Sequence, residues 1–383
     1  MVPASSAVNG PRVAMDVTPL LGFRTGIGLS VQEMWAALAA RPDRPALIPY
    51  VLGLRAPARA PGLPDGVRSV RAPTRALLAA WSRAEHPSLD RWITGADVVH
   101  ATNFVTGPSR RPTLTTINDI GFVLDPSSAD SVVAAFIPVL RRALARGAHV
   151  HVTTRQVGNE VEEHFGPGLQ AAGRITVIPF GIPSLGAAGP LPPELSDVLG
   201  NHPYVLAIGR ADRRKNFPML VRAFGQVAAQ HPDLRLVLAG PDGPDSAAVR
   251  AVVAALPGHL GGRVYLAGPV SGPVRRALLE GARALAYPSL YEGFGFPPLE
   301  AMAVGVPVLA SRAGAVLEVV GPAAQLADPA DVDDLASGLE RLVVDEGRRI
   351  ELIDAGRRHA GSFSWQATAA GLTSLYRRLA SSS

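Results

Sequence analysis

Residues 204–240 read YVLAIGRADRRKNFPMLVRAFGQVAAQHPDLRLVLAG, and the order of patterns within them decides the fold class. YVLAIG (204–209) is a short apolar run that stops on glycine, the mark of a buried strand. FPMLVRAFGQVAAQHP, from 217 onward, carries apolar residues at helical spacing and has proline in its first turn, where a missing N–H does no harm. LRLVLAG (234–240) is a second apolar run that ends on glycine. Strand, helix, strand is a βαβ unit, and its two strands must run parallel.

The same alternation continues on both sides. Downstream come SAAVRAVVAAL, RVYLAG (263–268), VRRALLEGA, ALAYPS, EGFGFPPLEAMAVG, VPVLAS and DLASGLERLVVD. Upstream, the strand-like runs are PRVAMDVT (11–18), ALIPYVL (46–52), DVVHAT (97–102), TLTTIND (113–119), AHVHVTT (148–154) and RITVIPFGI (174–182). Helix-like stretches separate them: LSVQEMWAALAA (29–40), PTRALLAAWSRA (73–84), ADSVVAAFIPVLRRALARGA (129–148) and QVGNEVEEHFG. The stretch 183–203, PSLGAAGPLPPELSDVLGNHP, is rich in proline and glycine without apolar periodicity, which predicts a linker over 186–203. GLRAPARAPGLPDG (53–66) reads as a loop. The expected architecture is α/β, with an N-terminal domain over 1–185 and a C-terminal domain over 204–365, each an open, mainly parallel sheet.

Composition supports two cores. The chain has 383 residues, 47% of them hydrophobic, which exceeds the size at which a single core stops growing. It has no cysteine, so disulfides, thiolate metal sites and thiol nucleophiles are all excluded. The N-terminus lacks a basic stretch followed by an apolar one, and no run of about 18 apolar residues is present, so a soluble, cytoplasmic protein is expected. The formal charge is +5, but 36 of the 37 basic residues are arginine and Lys215 is the one lysine. That bias reads as coding composition, and no nucleic-acid-binding motif accompanies it.

In open parallel sheets, ligands collect beyond the carboxyl ends of the strands. RADRRKN follows YVLAIG there, placing Arg210, Arg213, Arg214, Lys215 and Asn216 just before a helix, a suitable place for a diphosphate or simply a solvated basic turn. GFRTGIG, with Gly22, Gly26 and Gly28, is either an ordinary tight turn or one that brings backbone amides close to a phosphate. In AYPSLYEGFGFPPLEAMAVGVPV (286–308), Glu292 follows a strand and Glu300 falls where a helix begins. Both carboxylates can accept from sugar or ribose hydroxyls, and capping and solvation explain them equally well.

Glu292 and Glu300 with their surroundings, PSLYEGFGFPPLEAMAVGVPV, together with Gly209-Arg210…Lys215-Asn216, TINDIGF, VIPFGI and FSWQATA, resemble the retaining, nucleotide-sugar-dependent glycosyltransferases of the GT-B fold, family GT4. The resemblance implies two Rossmann-like domains facing across a cleft, with the terminal helix, 366–383, returning to the first. It implies a donor site formed by Gly26, Ile27, Gly28, Gly209, Arg210, Lys215, Glu292, Gly293, Phe294, Gly295, Phe296, Leu299 and Glu300. Arg210 and Lys215 would clamp the diphosphate, Glu300 would hold the ribose, and Glu292 the transferred sugar. Arg210, Lys215, Glu292, Asn118 and Asp119 would lie at the reacting centre.

The implied reaction transfers a hexose from a GDP- or UDP-sugar, with retention and without a metal or other cofactor, to a glycan, lipid-linked or small-molecule acceptor. A peripheral contact with an anionic membrane, on the inner face of the plasma membrane, and a homodimer are compatible with it. An epimerase-like enzyme and a non-catalytic nucleotide-sugar or partner-binding homologue are the alternatives. Two departures stand out: Asn118 precedes Asp119 where many relatives have histidine, and Phe180 replaces the usual asparagine of the strand-end I-P-N-G element.

Overall fold

The computed structural model describes residues 10–21, 26–54, 62–126 and 131–382. They form two compact units, one of residues 1–181 with 364–383 and one of residues 182–363.

The first unit is built on seven parallel strands: β1 (Arg12–Asp16), β2 (Ala46–Val51), β3 (Arg68–Ser69), β4 (Val98–Ala101), β5 (Thr113–Ile117), β6 (His149–Val152) and β7 (Ile175–Val177), in the order β3-β2-β1-β4-β5-β6-β7. Its helices are α1 (Gly26–Ala39), α2 (Thr74–Trp81), α3 (Gly121–Leu124), α4 (Ser131–Ala134), α5 (Phe136–Ala145) and α6 (Arg155–Phe165). The expected turn GFRTGIG divides differently: Gly26, Ile27 and Gly28 are the first turn of α1, while Gly22 lies outside the described residues. Two apolar clusters fill the unit. One gathers Ala14, Tyr50, Leu77, Trp81 and Leu89, the other Ile117, Leu140, Val152, Val161 and Phe165.

A buried polar chain crosses this sheet. The Ile178 carbonyl lies 2.9 Å from His151 Nε2, Thr116 Oγ1 lies 2.9 Å from His151 Nδ1 and 2.8 Å from His100 Nε2, and Tyr376 Oη lies 2.7 Å from His100 Nδ1. A carbonyl can only accept, so Nε2 of His151 carries its proton and Nδ1 accepts from Thr116. The threonine hydroxyl then accepts from His100 Nε2–H, and His100 Nδ1 accepts from the tyrosine. That arrangement places one proton on each imidazole, the neutral form that burial favours. Burial drives the pKa of His100 well below its ordinary value and that of His151 down to about 4. Phe180 closes the end of this chain, buried between the His151 ring, 5.8 Å away, and the Trp365 ring, 5.3 Å away. An asparagine there would bring polar atoms into an aromatic stack.

The second unit carries six parallel strands: β8 (Tyr204–Ile208), β9 (Arg235–Ala239), β10 (Val264–Gly268), β11 (Ala284–Tyr287), β12 (Val308–Ser311) and β13 (Gln325–Ala327), in the order β10-β9-β8-β11-β12-β13. The stretch read as a linker opens this unit and holds a helix, α7 (Pro193–Leu199), which buries Leu195 and Leu199. Then follow α8 (Phe217–Ala228), α9 (Ser246–Ala254), α10 (Gly272–Gly281), α11 (Phe296–Val304), α12 (Gly314–Val320), α13 (Val332–Val344) and α14 (Glu346–Ala360). Short polar side chains start several of these helices: Ser271 caps α10, Asp331 caps α13 and Asp345 caps α14. The core gathers Val205, Leu220, Phe224, Leu236, Leu309 and Leu335.

The last helix, α15 (Trp365–Ser381), belongs to the first unit. Ser364 caps it, and its buried face of Leu372, Leu375, Tyr376 and Leu379 packs on α1 and β4. Among the described residues, no helix is long and apolar enough to cross a membrane.

Candidate functional site

Helix α8 is preceded by a turn of 3-10 helix, Arg213–Lys215, so residues 210–216 fold back over the end of β8. Gly209 permits this: a Cβ there would meet Lys215 Cε at 3.0 Å, so the bare backbone leaves room for the lysine stem. The Lys215 ammonium is buried, 2.5 Å from Glu292 Oε1, 3.0 Å from the Tyr287 hydroxyl and 4.7 Å from the centroid of that ring. Arg214 donates to the other carboxylate oxygen of Glu292 at 2.6 Å. Both Glu292 oxygens are thus held by cations. Burial pushes the Glu292 pKa up, and Lys215 and Arg214 more than offset it, leaving it below the ordinary value. Burial lowers the Lys215 pKa against the pull of Glu292. We take the pair as ionised, because two cations share one carboxylate.

Arg210 sits differently. Its side chain is 58% exposed, 3.6 Å from Asp212, and its Nε donates to the Asp242 carbonyl at 3.3 Å. Arg214 rather than Arg210 is the arginine that joins Lys215 on Glu292. A cavity of about 180 Å³ lies at the carboxyl ends of β8, β9 and β10, bordered by Gly209, Ala211, Gly240, Asp242, Gly268 and Pro269.

The second glutamate is arranged otherwise. Gly295, with φ +93°, turns the chain into α11 and packs 3.3 Å from the Tyr287 ring through the place where a Cβ would stand. Phe294 is buried, its ring 5.4 Å from Phe296, and Leu299 is fully buried, so Gly293 to Leu299 form a packed collar leading to Glu300. Glu300 is 1% exposed. Arg275 of α10 donates to its Oε2, and its Oε1 is buried with no hydrogen-bond partner among the described residues. Burial raises the Glu300 pKa more than Arg275 lowers it.

In the first unit, Asn118 follows β5 half-buried, with its Nδ2 lacking a partner among the described residues, and Asp119 accepts from the Gly121 N–H at 2.9 Å. A further carboxylate ends β1: Asp16 is buried, accepts from the Thr18 N–H at 2.8 Å and from its hydroxyl, and burial raises its pKa to about 6. A lone acid closing the apolar run PRVAMD is the sequence signal for it. Arg275 and Tyr287 give no such signal, because only the fold brings them to Glu300 and Lys215. Among the described residues, no group of three or more His, Asp or Glu could hold a metal ion.

Comparisons with known proteins divide along the same units. Residues 24–184 match Glycosyltransferase Family 4, and residues 196–359 match Glycosyl transferases group 1. The MMP alpha-(1->4)-mannosyltransferase of Mycolicibacterium hassiacum is 46% identical over 119 residues, 30% of this chain and 29% of that protein. The O-antigen chain mannosyltransferase B of Escherichia coli is 36% identical over 165 residues, 43% of this chain and 42% of that protein. These matches span less than half the length of the curated relatives. Sucrose-phosphate synthase from Thermosynechococcus elongatus superposes with a TM-score of 0.73 at 23% identity, covering 97% of this chain and 100% of that one. That likeness establishes the fold as GT-B, two Rossmann-like α/β units with parallel sheets.

Proposed function

We propose that this chain, a GT-B-fold protein related to glycosyltransferase family 4 and the glycosyl transferases group 1, transfers a hexose from a nucleoside diphosphate sugar to an acceptor hydroxyl with retention of configuration. The observation that carries the reading is the pair of unequal glutamates in the second unit. One buried carboxylate is held by two cations, and a second keeps a buried oxygen without a partner among the described residues.

A buried, unpartnered carboxylate oxygen is costly unless a hydroxyl donor fills it. The ribose of a donor nucleotide supplies that hydroxyl to Glu300. Arg214, Lys215 and Glu292 together carry one net positive charge just ahead of α8, whose N-terminal dipole adds to it. A diphosphate docks there on Arg214, Lys215 and the exposed Arg210. As the glycosidic bond breaks, negative charge grows on the β-phosphate, and preorganised cations stabilise it more than they stabilise the intact donor. The leaving phosphate takes the proton of the attacking hydroxyl on the face it departs from. In this reading Glu292 fixes Lys215 and Arg214 and presents the sugar with a rigid polar wall. Asn118, an amide, binds an acceptor hydroxyl and moves no proton.

The donor is of the GDP-mannose or UDP-glucose type, the acceptor a glycan, glycolipid or small molecule, and the setting the cytoplasm or the inner face of the plasma membrane. The test is release of nucleoside diphosphate from a panel of GDP-, UDP-, ADP- and TDP-sugars, with and without acceptors. A folded protein that neither binds nor turns over any of them would sink the proposal.

A further inference from the structure

Arg275 lies on the second turn of α10, a helix that packs beside α11, and its guanidinium meets the Glu300 carboxylate. The contact leaves both partners incomplete. Among the described residues Glu300 Oε1 and Arg275 Nε are buried without a hydrogen-bond partner, while the arginine side chain is still 25% exposed. Its neighbour Arg276 is committed to Glu280 at 2.6 Å and is not available in the same way. Arg275 is therefore a cation fixed at one end by a buried carboxylate, with donor capacity left over and partial access to solvent.

The inference that follows rests on the reading of Glu300 as the ribose carboxylate. A ribose bonded to Oε1 carries its base within reach of the guanidinium that touches Oε2. The cavity at the strand ends reaches Gly268 and Pro269, the residues leading into α10, and the access at Arg275 itself is its 25% side-chain exposure. A guanidinium has five N–H donors and no acceptor, so it can bind only a base edge that presents acceptors. Guanine presents two side by side, O6 and N7, and matches the fork bidentately. Adenine sets an amino donor beside N7. In uracil and thymine, O4 is flanked by N3–H on one side and by carbon on the other, and cytosine's adjacent acceptors, O2 and N3, start beside the glycosidic bond rather than at the far edge of the base. We propose that Arg275 selects guanine and that the donor is accordingly a GDP-sugar.

Isothermal titration of the full chain with GDP, CDP, UDP and ADP, and with 7-deaza-GDP, in which N7 is replaced by C–H, tests this, and CDP binding as tightly as GDP would count against guanine selection. The expected result is that GDP binds about tenfold or more tighter than UDP or ADP and that 7-deaza-GDP loses most of that margin. Arg275→Met should lower GDP affinity at least five times more than UDP affinity and make the protein indifferent to the 7-deaza change. Should the variant fail to fold, the comparison of GDP with 7-deaza-GDP on the unaltered protein decides by itself. Equal binding of GDP, UDP and ADP, or an Arg275→Met loss shared equally by all nucleotides, would overturn guanine selection while leaving the donor site in place. Absence of binding by every nucleotide would overturn the donor site as well.

Discussion

Lys215 and Glu292 meet below the surface, Nζ 2.5 Å from Oε1, with 9% and 8% of their side chains exposed. Lys215 is the single lysine in a chain with 36 arginines, and it occupies a place where a compact ammonium fits. Its stem crosses Gly209 and its head lies over the Tyr287 ring. A guanidinium is broader and planar and would have to displace one of them.

Lys215→Arg is therefore expected to behave as a disruptive change, losing about 1–3 kcal/mol of stability through overpacking. Lys215→Met should lose about 2–4 kcal/mol by leaving Glu292 to Arg214 alone. Adding Glu292→Gln to Lys215→Met should restore part of that, because no uncompensated buried charge is left. Urea unfolding of the unaltered protein, Lys215→Met, Glu292→Gln and the double variant measures the coupling, and additive losses would mean the pair is not coupled.

Glu300→Gln should weaken binding of a ribonucleoside diphosphate by about tenfold, the scale of a hydrogen bond to a charged group. Binding of the 2′,3′-dideoxy analogue, which has no hydroxyls to donate, should be almost unchanged by the same substitution. Titration calorimetry reads both, and an equal loss for the two ligands would remove Glu300 from the ribose.

Asp16 and the pair His100 and His151 make opposed contributions to the acid stability of the first unit. Asp16 has its pKa raised on folding, from 3.8 to about 6, so its contribution is full below the lower value and is lost as pH rises through the upper one. His100 and His151 are depressed on folding from 6.5, His151 to about 4, so theirs is full above 6.5 and is lost as pH falls through that window. The two effects cancel in part between pH 4 and 6. Asp16→Asn removes the first, so its stability should fall more steeply than that of the unaltered protein on acidification, by about 3 kcal/mol over that window. Thermal melts across pH 4–7 check this, and parallel curves would refute it.

Tyr376→Phe should cost about 1–3 kcal/mol, because it leaves His100 Nδ1 buried without its donor. Chemical unfolding measures the loss, and proton NMR of the imidazoles should show His100 altered more than His151. An unchanged spectrum would mean the chain is not continuous.

Most strands were legible because a parallel strand buried on both faces leaves an unbroken apolar run, as in YVLAIG and LRLVLAG. β3, of two residues, has no run to read. α7 escaped because its prolines are helix-initiating ones, and composition alone does not distinguish those from linker prolines. Gly26 and Gly28 read as a turn but lie in a helix that packs along α15, a partner more than 300 residues away in sequence. In the site, Glu292 and Glu300 could be named from the sequence, but their difference could not. Arg275 is 25 residues from Glu300 and Arg214 is 78 from Glu292, and no local spacing encodes such partners.

The hydroxyl of Tyr376 is the last link in a chain of hydrogen bonds whose other members all lie before residue 179. The first unit to be synthesised is consequently not the first that can be finished. Residues 182–363 form an uninterrupted unit and have every part they need once Phe363 has left the ribosome. The sheet made before them must wait, with a histidine short of its donor, until α15 emerges. The order in which the two units receive their last residues runs against the order in which they are begun.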